Sequence, residues 1–444
     1  MATITADPAN LPLQAADTGA APAPDRIETL DFIRGVALFG ILLMNITGFG
    51  LPNAYTNPMN AGGATGLNLV AWMITEIGFE GTQRALFSML FGASVILFTS
   101  RLEAEGRTDV GDIYVRRNLW LIGFGMVNAW VLLWEGDILY AYGVTALFVF
   151  AFRKMKARHL LAIGAATLIA NAAWNAHDAL DTIGKYEPYR QAVAARAHGA
   201  RLSEAQLAAI SAWEEERGNY KATPDAQKES ILGHRGGYLS ALWTIAPDNM
   251  WVQSRGLYRY FFDVFSMMLI GMALFRLGVL TLERPTRLYL AMLLLGYGIG
   301  LTVNTLETRW IIDHGFSAIA FAQVSVSYDL GRLAMAVGHL GALLLFVRSG
   351  IFPWLRRSLA AVGRMAVTNY LTHSLVCLIL FILLGWFGAL ERHQLYYIVF
   401  AICAVQLVVS PLWLRHFRFG PVEWLWRSLT YMKWQPMRRL AAVT

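Results

Sequence analysis

Five groups of charged or amide side chains sit inside otherwise apolar stretches, at spacings that put their members on shared helix faces. Asp31 and Arg34 are three residues apart, and Asn45 lies eleven beyond Arg34. At about 100° per residue, Arg34 and Asn45 point almost the same way, so one stripe carries an acid, a base and an amide. Glu76, Glu80 and Arg84 follow at intervals of four, and Glu before Arg at that spacing favours an intrahelical ion pair. Arg255, Arg259 and Asp263 form a third group, in which Arg259 and Asp263 are four apart. Ser325, Asp329, Arg332 and His339 share a fourth stripe, and Asn369, Tyr370 and His373 a fifth. Ionisable groups are costly in hydrocarbon, so each stripe should face protein or a water-filled cavity. The imidazole of His373 titrates near neutral pH and is the best-placed general base. Asn45 and Arg84 are donors of the kind that stabilise an oxyanion. Each group also has a plainer reading: an ion pair that fixes helix register, or a histidine satisfied by hydrogen bonds.

The elements that must hold these residues are membrane helices. The chain has 444 residues, of which 56% are hydrophobic and only 15% charged, against about 25% charged in ordinary soluble domains. Apolar runs long enough to cross a bilayer recur along it. The pattern predicts an all-α, polytopic transmembrane bundle of about ten helices: 31–49, 80–100, 112–133, 138–153, 158–177, 257–278, 286–306, 318–347, 357–383 and 393–414. The second is expected to begin earlier, near Leu67, if it is long or broken. The eighth and ninth are long enough to be tilted or kinked. Gly296 to Gly300 reads as a small-residue packing seam.

The organisation follows. Residues 1–25, rich in Ala, Pro and Asp, read as a disordered tail without the basic and apolar regions of a cleavable signal. Residues 26–177 form a first bundle half, 178–256 a small helical insertion, 257–414 a second half and 415–444 an aromatic, basic interfacial tail. Within the insertion, Ser203 to Gln206 is a capping box and Thr223-Pro224 a second helix start. It is a cap or flap over a cavity, or a solvated excursion. Lys and Arg concentrate in alternate loops, so the positive-inside rule predicts both termini in the cytoplasm and the insertion outside. The net charge of +7 belongs to that topology, not to nucleic acid. Cys377 and Cys403 lie in apolar helices and read as small core residues. The acidic turn Trp134-Glu135-Gly136-Asp137 suits a cation or amine, or is simply a loop. Glu423 is expected to pair with a loop arginine. No metal-ligand spacing, P-loop or nucleophile elbow occurs.

Two segments carry a family resemblance. Leu30 to Asn45 (LDFIRGVALFGILLMN) is followed by LFSMLFGAS at Leu86 to Ser94. GRMAVTNYL at Gly363 to Leu371 is followed by SPLWLRHFRFGPVEWLWRSLTY at Ser410 to Tyr431. Together they resemble the YeiB-like family of bacterial inner-membrane proteins, domain of unknown function 418. The opening Asp31, Arg34 and Gly35 is also similar to the first helix of transmembrane acyltransferases, including the lysosomal enzyme that acetylates heparan-sulfate glucosamine from acetyl-CoA. The resemblance implies a multi-pass inner-membrane protein and an acyl-CoA co-substrate, with Asn45 in the active site. It also implies an acceptor hydroxyl or amine, either a cell-envelope component or a small molecule. That enzyme uses a histidine shortly after the matching asparagine; residues 46–60 here contain none, which leaves His373 as the candidate base.

On this reading Asn45, His373, Asp329 and Arg332 are catalytic, while Asp31, Arg34, Glu80, Arg84, Asp263, Asn369 and Tyr370 bind substrate or co-substrate. The lipid bilayer is the constant partner, and a homodimer is one open assembly. Two other classes compete. A transporter or permease would use the same buried charges to bind and move a solute, and broken helices at matching positions would favour it. A structural membrane protein would need the ion pairs for stability alone.

Overall fold

Apolar runs in lipid must satisfy every backbone N–H and C=O internally, and short of a closed barrel only helices do so. The computed structural model accordingly builds its described residues, 28–54 and 57–439, from helices, with no strand among them. The expected tail at 1–25 lies outside the described residues. The first half consists of α1 (Glu28–Gly50), α2 (Gly66–Gly78), α3 (Thr82–Ala104), α4 (Val110–Trp130), α5 (Leu139–Val149) and α6 (Ala157–Ala197). Then come α7 (Glu204–Tyr220), α8 (Pro224–Arg235) and α9 (Tyr238–Trp251). The second half consists of α10 (Leu257–Arg276), α11 (Thr286–Asp313), α12 (Ala318–Val324), α13 (Tyr328–Ser349), α14 (Pro353–Arg364), α15 (Ala366–Cys377), α16 (Arg392–His416) and α17 (Pro421–Tyr431).

Every one of the ten stretches expected to cross the membrane lies on helix. Seven helical stretches among the described residues are long and apolar enough to span, and Leu139–Phe152 is a shorter apolar helix. The other two expected crossings coincide with α4 and α6, which carry more polar residues. The second expected helix does begin earlier and is broken, and the eighth and ninth, expected as single helices, are interrupted. Phe79–Gly81 separates α2 from α3, Ser325–Ser327 separates α12 from α13, and Met365 separates α14 from α15. Gly81 sits at φ +65°, where a side chain would be strained. Hydroxyls add to the backbone bonds at two of the breaks: Thr82 donates to the Phe79 carbonyl (2.8 Å), Ser325 to that of Phe321 (2.9 Å) and Ser327 to that of Val324 (3.3 Å), and each carbonyl also accepts a backbone N–H.

Between lipid-exposed helices the hydrophobic effect does little, so close packing at small residues must hold the bundle. A methyl group on Gly92 of α3 would collide with the Met268 carbonyl of α10, and one on Gly271 of α10 with the Met89 carbonyl. Gly296 and Gly300 pack α11 onto Gly338 and Met335 of α13, as the seam predicts. The apolar window of α2–α3 is 67% buried and that of α11 only 22%, so α3 runs through the centre while α11 lines the rim.

The insertion grows out of the bundle without a joint. Expected to end at 177, α6 runs on to Ala197, and α9 passes through a π-helical turn, Val252–Gly256, directly into α10. Both sides of the Ser203 capping box form, with Ser203 Oγ accepting from Gln206 N and Gln206 Oε1 accepting from Ser203 N. Trp213 of α7 packs on Tyr186 and Tyr189 of the α6 extension, and Lys185 pairs with Glu216.

Candidate functional site

Two of the helix breaks meet at one cavity. The α2–α3 break carries Glu80, and the α12–α13 break carries Ser325 and starts α13 at Tyr328. Gly81 lies so close to Tyr328 and Arg332 that a Cβ there would overlap both, so only glycine lets the breaks approach. The cavity holds about 220 Å³. Glu76, Glu80, Glu307, Asn304, Tyr328 and Arg332 supply its polar wall; Ile311, Phe321 and Val324 its apolar one. Tyr220, at the end of α7, also lines it and stacks on Phe321 with centroids 5.9 Å apart. Asn60 fixes that end of the insertion, donating to the Tyr220 carbonyl (3.3 Å) and accepting from Ala222 N (3.1 Å).

Behind this wall is a charge quartet drawn from three helices. Arg332 is 2% exposed, and its Nη2 lies 2.7 Å from both Asp329 Oδ1 and Asp263 Oδ1. The other oxygen of Asp263 is 3.3 Å from Arg84 Nε. Asn175 of α6 donates to Asp329 Oδ2 (2.9 Å). Two arginines and two aspartates thus balance, as buried charges must. Beyond them the wall adds three carboxyl side chains. Tyr328 donates to Glu80 Oε1 (3.2 Å) and Ser327 to Glu307 Oε1 (2.5 Å). Arg332 Nε and Nη1 are buried with no hydrogen-bond partner among the described residues. The Arg332 side chain thus links the cavity it lines to the two aspartates behind it.

Spacing alone misdirects two pairings. Arg259, expected to pair with Asp263, instead reaches Asp178 (2.5 Å), because Asp263 faces inward to Arg84 and Arg332. The α2–α3 break takes Glu80 out of the helix that carries Arg84, so their spacing of four is not a helical one. Glu307, Tyr328, Asn304 and Asn175 were not among the expected site residues; Tyr328 is adjacent to Asp329, but nothing in the spacing of Glu307 marks it.

The remaining candidates lie elsewhere. Arg34 donates to Asp31 (2.8 Å) and to Ser94 of α3 (3.0 Å), which ties α1 to α3. Asn45 is half-buried, and its side chain has no partner among the described residues. His373 Nε2 is 2.9 Å from Gln406 Oε1 on α16; Gln406 in turn donates to the Asn369 carbonyl, and Asn369 to Ser410 and the Val362 carbonyl. Since an amide oxygen only accepts, Nε2 is the donor. The hydroxyl of Tyr370 accepts from Trp134 Nε1 and Ile138 N. None of Asp31, Arg34, Asn45, Asn369, Tyr370 or His373 lines the cavity. The polar stripe of α1 and His373 therefore do not converge on it.

A second, water-sized cavity of about 20 Å³ lies between Gly48, Phe49, Trp134, Glu135, His234 and Cys377. There Glu135 faces Asp248, and burial together with that neighbour pushes its carboxyl up to about 7. His234 donates from Nδ1 to the Ser230 carbonyl (2.7 Å) and stacks flat on Phe387, and burial pushes its pKa down. Asp137 of the acidic turn accepts from Asn128 and from Tyr140 N at the start of α5, each at 2.8 Å. Glu423, expected to meet an arginine, accepts instead from Val367 N, Thr368 N and Thr368 Oγ1 at 2.5–2.9 Å. It occupies the exposed N–H groups that open α15, where a helix favours negative charge.

Comparison with known proteins covers most of this framework. A family described as "Protein of unknown function (DUF418)" matches residues 274–433, which include Glu307, Tyr328, Asp329 and Arg332 but not Glu80, Arg84 or Asp263. The chain is similar to the uncharacterized protein YeiB of Escherichia coli (strain K12), 31% identical over 438 residues, with 91% of this chain and 96% of that protein covered. It is also similar to the uncharacterized protein YxaH of Bacillus subtilis (strain 168), 29% identical over 455 residues, with 94% and 98% covered.

Proposed function

This chain belongs to the YeiB-like DUF418 family, and we propose that it is a multi-pass inner-membrane acyltransferase that moves an acyl group from an acyl-CoA to an amine or hydroxyl. One observation carries the proposal: the carboxyl side chains of Glu76, Glu80 and Glu307 and the side chain of the buried Arg332 line the same cavity. Acyl transfer needs a base for the acceptor and a donor for the oxyanion. Glu80, steadied by Tyr328, takes the proton from the acceptor N–H or O–H. The acceptor atom then bonds to the thioester carbonyl carbon, and its oxygen becomes an oxyanion held by Arg332. As the carbonyl re-forms, the C–S bond breaks and the thiolate leaves, taking a proton to give free CoA. The arginine-rich ends of the helices are assigned to the cytoplasm by the positive-inside rule, with both termini there and the 178–256 insertion outside. Arg34 and neighbouring loop arginines are the groups suited to a phosphate-bearing donor.

The test is thiol release by purified protein from acetyl-CoA and longer acyl-CoAs, with small amines and envelope extract as acceptors. Protein-dependent release of CoA is expected, and none across the series would overturn the proposal. A second reading, solute transport, is favoured by the two broken helices α2–α3 and α12–α13 that meet at the cavity, an arrangement typical of transporter sites. It predicts solute uptake into proteoliposomes with no thiol release.

A further inference from the structure

The insertion is divided in character. Most of it presents a solvated surface: the α6 extension exposes Asp181 and Arg190, α7 Glu215 and Arg217, and α8 Asp225 and Lys228. The last helix differs. Along α9 the one charged residue is Asp248, while Leu239, Trp243 and Met250 are 68%, 75% and 64% exposed. Those three fall within about 40° of one another around the helix, and Asp248 lies about 180° from Leu239. On another side, Ala241, Ile245 and Asn249 are buried. A stripe of large apolar side chains on one helix face marks contact with something apolar.

The packing of α9 says where that stripe lies. Ala241 and Ile245 cluster with Leu378 and Ile382, which belong to the π-helical turn Leu378–Leu383 at the end of the apolar stretch Ala366–Leu383. The positive-inside rule makes this the outer end of that crossing. Tyr238 donates to the Val131 carbonyl (3.0 Å) and Asn249 to that of Ala129 (2.7 Å). Eleven residues separate the two donors, about 16 Å along α9, whereas the carbonyls are about 3 Å apart along α4. The helix α9 therefore crosses the outer end of α4 and does not run beside it. Length agrees. From Tyr238 to Arg276 the apolar stretch has 39 residues, about 58 Å of helix and about twice the hydrocarbon thickness. With 20 residues, α10 is long enough for the crossing by itself.

We infer that α9 is an interfacial helix seated in the outer leaflet, with Leu239, Trp243 and Met250 against lipid at the boundary of headgroups and acyl chains. Val131 at the end of α4 and Leu383 at the end of α15 are also exposed, and the stripe continues their apolar rim. Tryptophan is favoured at that depth. Such helices usually turn a charged face to water; here the bundle takes much of that side. The insertion, whose Tyr220 lines the cavity, is thereby held to the bilayer at its other end. The inference depends on the membrane topology and not on the reaction assigned to the cavity.

The experiment places a bimane label at W243C, and for reference at S211C on the exposed face of α7. Both are made in the full chain with C377A and C403A, and reconstituted into phosphatidylcholine–phosphatidylglycerol vesicles. Quenchers are lipids brominated on their acyl chains and iodide in the water. Bromolipid should quench the label at 243 about threefold or more as strongly as that at 211, and iodide should show the reverse order. L239C, on the same stripe, should behave as W243C does, with melting temperatures recorded to show that each variant is folded. Strong iodide quenching at 239 and 243 without bromolipid quenching would overturn the inference in favour of a solvated helix. Shielding of both positions from both quenchers would overturn it in favour of a second copy or another protein on the stripe.

Discussion

Arg332 on α13 and Asp263 on α10 meet at 2.7 Å in the interior of the bundle, and that contact joins the cavity wall to the central α3–α10 pair through Arg84. Removing one partner of a buried pair leaves an uncompensated charge, at a cost of about 3–5 kcal/mol. R332A and D263A should therefore each lower the melting temperature in detergent markedly. The double variant should lose less than the sum of the two. Strict additivity would mean that the two side chains are not coupled.

The charge of Glu423 is spent on α15. E423A removes an acceptor shared by Val367 N, Thr368 N and Thr368 Oγ1, and should cost about 1–3 kcal/mol in thermal unfolding. Hydrogen exchange should rise first at the start of α15; unchanged protection of Thr368 would contradict this.

Stability should carry a pH signature from Glu135. Its folded carboxyl is raised from 4.5 to about 7, with Asp248 and His234 as its titratable neighbours. Between those values the folded chain keeps a proton that the unfolded chain has lost, so stability falls as pH rises through the window and levels off above it. Glu135 is half-buried, and solvent screening trims the effect to about 1–2 kcal/mol. E135Q should match the parent near pH 4.5 and exceed it at pH 8. An equal slope in both proteins would refute the assignment.

His373 serves as a tie between α15 and α16. H373N should cost about 1–2 kcal/mol, the worth of a buried hydrogen bond and its stranded partner, and slow acyl transfer less than fivefold. A loss of a hundredfold or more would restore His373 as the base.

Much of this architecture is legible in the sequence because lipid leaves a helix few alternatives. The Asp31–Arg34 and Asp329–Arg332 contacts follow from spacing alone, since residues three apart on a helix are neighbours. The Arg84–Asp263–Arg332 contact does not, because periodicity describes one helix and is silent about which faces meet. The break at Ser325–Ser327 is hidden in an apolar run whose hydroxyls read as ordinary helix residues. With it hidden, Glu307 on the neighbouring helix has no visible partner. The role of Glu423 is obscured for the same reason: the start of α15 is buried inside a stretch that reads as one long helix.

The central claim is that the cavity between the two helix breaks is where transfer occurs, with Glu80 as its base. The most direct measurement is kcat/KM for thiol release by E80Q beside the parent, with melting temperatures recorded for both. A general base contributes about 10²–10⁴-fold, so a loss of at least a hundredfold with an unchanged melting temperature is predicted. Full activity in a folded E80Q protein would contradict the account.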